Sequence, residues 1–323
     1  MEYTTLGATG VEVSRLCLGC MNFGSEREWM VNDRAESVQL IHEAIDAGIN
    51  FLDTANVYSY GESEEIVGEA IEAYDRDEVV VATKVFGEMR DGPNGSGLSR
   101  KHVIDQCEAS LDRLGTDYVD LYQIHRWDED TPIEETLAAL DYLVETGRVR
   151  YIGASTMTAY QFTKALYTSD LEDLSRFTCM QPEYSAVARH EEANLLEVCE
   201  GEDVGVIPWS PLAGGFLTGK YERDEEPAAG TRGAASESVR SYFSPENWAV
   251  LDAVRAVAEE CDATPAQVAV AWLLAQDVVT APIVGPKTSA QLRDVLGAVE
   301  LELTDEQVER IAAPKSPSYA PPG

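Results

Sequence analysis

Residues 118–154 read YVDLYQIHRWDEDTPIEETLAALDYLVETGRVRYIGA. Tyr118–His125 is a short, mostly apolar run of the length of a buried strand. Thr131-Pro132 followed by Glu134 and Glu135 is a helix start, and Leu137, Leu140, Leu143 and Val144 fall on one face of the helix that follows. Gly147 stops it, and Val149–Ala154 is a second apolar run. Strand, helix and strand in this order form the unit of a parallel sheet.

The same rhythm extends in both directions. Strand-like runs lie at Leu16–Gly19, Asn50–Asp53, Val79–Lys84, Thr178–Gln181, Val204–Trp209 and Thr280–Val284 as well as the two above. Helix patterns lie between them at Ala35–Ala47, Ser63–Tyr74, Ser99–Leu114, Pro132–Thr146, Ala159–Ser169, Glu191–Glu202 and Trp248–Cys261. Eight strands are the number that closes a (β/α)8 TIM barrel. An open doubly wound sheet would usually carry G-x-G-x-x-G after its first strand, and the chain has none. A hairpin, Tyr3–Leu6 and Glu12–Ser14 around Gly7-Ala8-Thr9-Gly10, precedes the first barrel strand and is placed to plug the barrel. The loop after strand seven, 210–247, is expected to be structureless and to act as a lid. One domain therefore spans 1–313, and 314–323 form a loose Pro-rich tail.

The net charge is −34, and only six of the 24 basic residues are lysines. So acidic a surface repels nucleic-acid phosphates and anionic lipids, which excludes DNA, RNA and membrane surfaces as partners. With 44% hydrophobic residues the chain nevertheless folds. It has no apolar stretch of spanning length and no secretory signal at its N-terminus, so a cytoplasmic location is expected. Acids crowd helix faces and loops, as at Asp128-Glu129-Asp130 and Asp224-Glu225-Glu226, a halophilic pattern suited to molar salt. The six cysteines sit mostly inside apolar runs. Cys17-Leu18-Gly19-Cys20 has no second pair or His cluster to complete a zinc site, so a structural role is assigned and no metal is expected.

A barrel places its chemistry at the carboxyl ends of its strands. Strands two, three and four end in Asp53, Lys84 and His125, strands six and seven in Gln181 and Trp209, and Tyr58 opens the loop after strand two. Singly, a strand-end Asp caps a turn, a Lys snorkels, a His packs and a loop Tyr fills space. Four such groups at one rim point to catalysis instead.

Those positions, with Phe51-Leu52-Asp53-Thr54-Ala55-Asn56-Val57-Tyr58, Tyr151-Ile152-Gly153-Ala154-Ser155 and Ile207-Pro208-Trp209-Ser210-Pro211-Leu212-Ala213-Gly214-Gly215, resemble the aldo/keto reductase superfamily. The nearer likeness is to microbial members that also resemble potassium-channel β-subunits. The resemblance implies NADP(H)-dependent reduction of a small aldehyde or ketone. Tyr58 is then the proton donor, its pKa lowered by Lys84, with Asp53 orienting Lys84 and His125 polarising the carbonyl. Ser155 and Gln181 match positions that hold the nicotinamide carboxamide, and Trp209 the one that stacks on its ring. Ser210, Pro211, Leu212 and Gly214 match the stretch around the pyrophosphate. Gly285, Lys287, Thr288 and Gln291 line up with the site of the 2′-phosphate, where Lys287 and free N–H groups at a helix start would receive it. Thr156, Gln291 and Val295 replace Asn, Arg and Asn of the family pattern, leaving Lys287 as the main cation and NAD(H) open. Met21, Trp29, Phe86 and Trp127 are expected to form an apolar substrate rim. The competing reading is a cofactor-sensing binding module, like the channel β-subunits, with incidental turnover.

Overall fold

A computed structural model describes residues 1–317; residues 318–323 of the expected tail lie outside the described residues. Strands β1 (Tyr3–Thr5) and β2 (Glu12–Ser14) pair antiparallel as the hairpin. Eight further strands follow: β3 (Cys17–Gly19), β4 (Phe51–Asp53), β5 (Val80–Val85), β6 (Val119–Ile124), β7 (Val149–Ser155), β8 (Phe177–Gln181), β9 (Gly205–Val206) and β10 (Ile283–Val284). They form one parallel sheet in the order β10-β3-β4-β5-β6-β7-β8-β9. Hydrogen bonds from Thr280 N to Val206 O and from Ile283 N to Pro208 O, both 2.8 Å, join its two edges. No helix of the described residues is long and apolar enough to cross a membrane.

The helices between strands are α1 (Arg34–Asp46), α2 (Glu62–Ile71), α3 (Arg100–Leu114), α4 (Ile133–Glu145), α5 (Ala159–Glu172) and α6 (Leu195–Gly201). Their ends follow the local chemistry. Ser99 accepts from His102 N, Thr158 makes a capping box with Gln161, and Gly115 closes α3 at φ +63°. Ser63 is the exception. It is buried inside α2, where its hydroxyl donates to Cys20 O at 2.8 Å and contacts Thr54 Oγ1 at 2.9 Å. Ser63 opens the expected helix Ser63–Tyr74, and tertiary packing has drawn it inside α2.

The segment 210–247 is not structureless. It holds a 3-10 stretch at Ala213–Thr218 and two short helices, α7 (Arg232–Ala235) and α8 (Glu237–Arg240). Phe216 and Phe243 pack with Trp248 of α9 (Pro245–Glu260), with ring centroids 4.8–5.6 Å apart. An aromatic core of its own makes this segment a formed wall. Helices α10 (Pro265–Leu274), α11 (Ser289–Leu296) and α12 (Asp305–Ala312) complete the chain. The beginning of the expected loose tail is tied down: Lys315 Nζ donates to Val187 O and to Asn247 Oδ1 at 2.8 Å, and Arg189 holds the Lys315 carbonyl.

The hairpin closes the amino end of the barrel. Leu6 and Val13 join Cys17, Phe51, Leu121 and Ile207 in the barrel's interior cluster. Gly7, at φ +56°, lies so close to β8 and β9 that a Cβ would stand 2.5 Å from Thr178 O and 2.7 Å from Gly205 N. Gly7→Ala therefore meets both a left-handed backbone and a backbone wall. A loss on the order of 2 kcal/mol is expected, read as a lower urea midpoint with an unchanged m-value.

Candidate active site

Neighbouring strands bring the ionisable groups to one rim. Lys84 stands opposite Gln123 in the β5–β6 register, and Asp53 ends β4 beside them. Lys84 is fully buried. Its ammonium donates to Asp53 Oδ2 at 2.6 Å, to Thr54 O at 2.8 Å and to Tyr58 OH at 3.1 Å, so its three donors are all used. The other Asp53 oxygen accepts from Gln123 Nε2 and Gln181 Nε2, both at 3.0 Å. Ser155 Oγ in turn donates to Gln181 O at 2.9 Å. Tyr58 and His125 face each other edge to face, with ring centroids 5.7 Å apart.

Burial lowers the pKa of Lys84, but Asp53 and then Tyr58 outweigh it and hold the ammonium above its ordinary pKa. Tyr58 departs from expectation. Burial raises its phenol above the ordinary value, and Lys84, pulling the other way, does not overcome it. The hydroxyl therefore keeps its proton. His125 is pushed down to about 3 by burial and by the positive charges of Lys84 and Arg126, so its imidazole is neutral.

These groups floor a cleft of about 580 Å³ at the carboxyl end of the barrel. Asp53, Tyr58 and His125 line it, with Ser155, Gln181, Trp209, Ser210, Pro211, Leu212, Gly214, Gly285, Lys287 and Gln291. Of the expected substrate rim, Met21 and Trp29 line the cleft. Phe86 and Trp127 do not; they pack against the hydrophobic core beneath. Thr288 is also off the wall. It caps α11, its hydroxyl accepting from Gln291 N at 3.2 Å. Gln291 Oε1 meanwhile accepts from Lys287 N at 2.8 Å, so two of the N–H groups expected to be free are already taken.

Lys220 and Arg232, which reading the sequence left out, line the same cleft. With Lys287 they form a cluster of three cations, and among the described residues none makes an ion pair with a carboxylate. Burial lowers the pKa of each; Lys287 and Arg232 lower that of Lys220 further, Arg232 lowers that of Lys287, and Arg27 lowers that of Arg232. The signal was available: two of only six lysines fall in segments flanking the cleft of a very acidic chain. Below them Gly214 and Gly215 turn the backbone at φ +64° and +93°. A Cβ on Gly215 would collide with the Lys220 ammonium, so the cation rests directly on the turn.

Residues 15–314 match the model of the aldo/keto reductase family. The chain belongs to that family. It is 37% identical to the versiconal hemiacetal acetate reductase of Aspergillus parasiticus, over 100% of this chain and 99% of that protein. It is 40% identical to the uncharacterized oxidoreductase YrpG of Bacillus subtilis, over 95% and 93%. A probable voltage-gated potassium channel subunit beta of Arabidopsis thaliana is 36% identical, over 93% and 92%.

In this aldo/keto reductase the His125 ring should not titrate between pH 5 and 8, as read from its imidazole nitrogen shifts. Between about pH 3 and 6.5 the unfolded chain binds a proton at this residue that the native state does not, so His125 contributes a loss of stability as pH falls through that window.

Proposed function

We propose that the protein is a nicotinamide-dependent carbonyl reductase of small aldehydes or ketones, with Tyr58 as proton donor. The observation that carries this is the hydrogen bond from the buried Lys84 ammonium to the Tyr58 hydroxyl, with Asp53 behind it. The cleft fits a dinucleotide. Three cations that make no ion pair with a carboxylate among the described residues line it, and Lys220 rests on the Gly214–Gly215 turn, where the backbone can come close, which suits a diphosphate. Lys220, Arg232 and Lys287 would hold that diphosphate, Trp209 the nicotinamide face, and Ser155 with Gln181 its carboxamide. NADP(H) is the cofactor the family resemblance favours, and NAD(H) shares every one of these contacts.

When bound, the cofactor supplies a hydride to the carbonyl carbon. Neutral His125 can donate only from a protonated ring nitrogen, and a hydrogen bond to the carbonyl oxygen would fix its position and polarise it. Tyr58 gives its proton to the same oxygen as negative charge develops there. The Lys84 ammonium, 3.1 Å away, stabilises the phenolate that remains. Asp53 keeps that ammonium charged and in place.

Replacing Tyr58 by Phe removes the proton donor alone. A fall in kcat of about 10²–10⁴-fold is expected, with the dissociation constant of the reduced cofactor within a few-fold of wild type. Equal rates of NADPH oxidation by wild type and Tyr58→Phe across an aldehyde panel would refute the role. Cofactor binding with no turnover by wild type would favour the sensing module, to which the likeness with a channel β-subunit lends support.

The −34 charge supports a halophilic setting within a cytoplasm of concentrated salt. Thermal unfolding midpoints should rise as KCl is taken from about 0.1 M, where the Debye length is about 10 Å, to 1 M, where it is about 3 Å. A midpoint that falls across that range removes the inference.

A further inference from the structure

We propose that the left-handed run Ser59–Tyr60–Gly61 is a positioning device that sets the Tyr58 hydroxyl against Lys84, with the buried Glu64–Arg113 ion pair holding it in shape. The proposal rests on the reading of Tyr58 as proton donor and adds what keeps that donor in place. Three consecutive residues after Tyr58 have positive φ: Ser59 at +47°, Tyr60 at +52° and Gly61 at +100°. An L-residue is disfavoured there by the clash of its Cβ with the backbone, and such residues normally occur singly. The turn's own side chains offer little in return. Tyr60 is 70% exposed, and the Ser59 hydroxyl is buried with no hydrogen-bond partner among the described residues. Strain of this kind persists only where the surroundings over-determine it.

The hold comes from two directions. The Arg113 side chain packs directly against Gly61, where a Cβ would stand 2.6 Å from Arg113 Cδ. Arg113 cannot draw back, because its Nε donates to Glu64 Oε2 at 2.6 Å. Glu64 is fully buried, and its other oxygen accepts from the Thr83 hydroxyl. Thr83 precedes Lys84 on β5, so the ion pair ties the turn to the strand that carries the ammonium. On another side, Glu62 Oε2 accepts from Ser25 N and from Ser25 Oγ, both at 2.8 Å. These bonds keep Gly24 so close to the turn that a Cβ on it would collide with the Ser59 hydroxyl.

The helix that follows the turn is fixed as well. A Cβ on Gly68 of α2 would stand 2.8 Å from the carbonyl oxygens of Arg113 and Leu114, so α2 lies against the end of α3 with no space between. Ser63 fastens its first turn to Cys20 O at 2.8 Å. With α2 immobile, a turn that relaxed towards right-handed φ would have to move Tyr58 instead. The phenol stands 3.1 Å from the Lys84 ammonium, and a displacement of about 1 Å would break that bond. Misplacing a reacting group by that much can cost about 10²-fold in rate. The strained shape is therefore the one in which proton donor and ammonium meet.

Because Tyr60 is exposed, substitutions there change backbone preference and few contacts. Asn tolerates the left-handed region and β-branched Val resists it. The single-turnover rate of NADPH oxidation with an aldehyde should be at least about tenfold lower in Tyr60→Val than in Tyr60→Asn, with NADPH dissociation constants within about threefold of each other. The double change Glu64→Gln with Arg113→Met, which leaves no lone buried charge, should slow the step by at least about tenfold from wild type. Thermal melts show that each full-length variant is folded. In a Tyr58→Phe chain these differences should vanish, because the turn acts through the Tyr58 hydroxyl. In the cofactor-free protein labelled with 13C-tyrosine, the Tyr58 ring resonance should move in Tyr60→Val and stay in Tyr60→Asn. An unmoved resonance in Tyr60→Val, a smaller loss of rate in either comparison, or a loss that persists in the Tyr58→Phe chain overturns the proposal and leaves Tyr58 as proton donor. Equal rates for wild type and Tyr58→Phe overturn the donor role and the proposal with it.

Discussion

The ion pair between Lys84 and Asp53 is the constraint around which the carboxyl end of the barrel is arranged. Two opposite charges 2.6 Å apart are sealed from water, and desolvation costs several kcal/mol for each. Mutual attraction recovers that cost only if the remaining donors and acceptors are also satisfied. They are, by groups from two strands, β6 and β8, and from the loop after β4. Thr54 O and Tyr58 complete the ammonium, while Gln123 and Gln181 complete the carboxylate. The side chains that keep the pair stable are thus the ones that carry its influence to Tyr58 on one side and to Ser155 on the other. Stability and the poise of the site rest on the same bonds.

Charge is distributed in two opposing patterns. The outer surface is acidic enough to give the chain a net −34, and its exposed ion pairs nearly all use Arg. Such pairs contribute little individually and are screened by salt. Inside the cleft, Lys220, Arg232 and Lys287 are crowded together at a cost to their own protonation. Like charges are not gathered in a half-buried site for stability; they repel, and each is partly desolvated. An anion that neutralises them gains what the fold has given up. On the proposed reading, the cleft gives a compact polyanion a binding place that the acidic outer surface denies it elsewhere.

The barrel was legible because its signals are local and repeated. Every expected strand overlaps an observed one, and Asp53, Lys84 and His125 were found by asking which polar residues end apolar strands. Four features escaped, each for a tertiary reason. Segment 210–247 looked empty because its Gly, Pro and acids hide Phe216, Tyr221 and Val239, which are buried only against the body. Phe86 and Trp127 were assigned to the rim by position, whereas which way a loop aromatic turns is decided by the core beneath it. The N–H groups of α11 were read as free because Thr288 and Gln291 had been read as ligands, although in sequence they are equally a cap. Arg232 had no neighbouring motif, and only its approach to Trp29 reveals it.

The raised pKa of Tyr58 changes how its partnership with Lys84 is to be understood. A lysine beside a phenol is usually taken to make the phenol more acidic in the resting protein. Here the surrounding burial wins, and the resting hydroxyl is a weaker acid than free tyrosine. Lys84 then acts less on the resting state than on the state after proton transfer, when a phenolate faces a buried ammonium at hydrogen-bond distance. An interaction that grows only as the proton leaves lowers the barrier without weakening the ground-state donor. On the proposed reading, burial keeps the Tyr58 hydroxyl protonated through neutral pH, so the proton that carbonyl reduction needs is in place before the hydride moves.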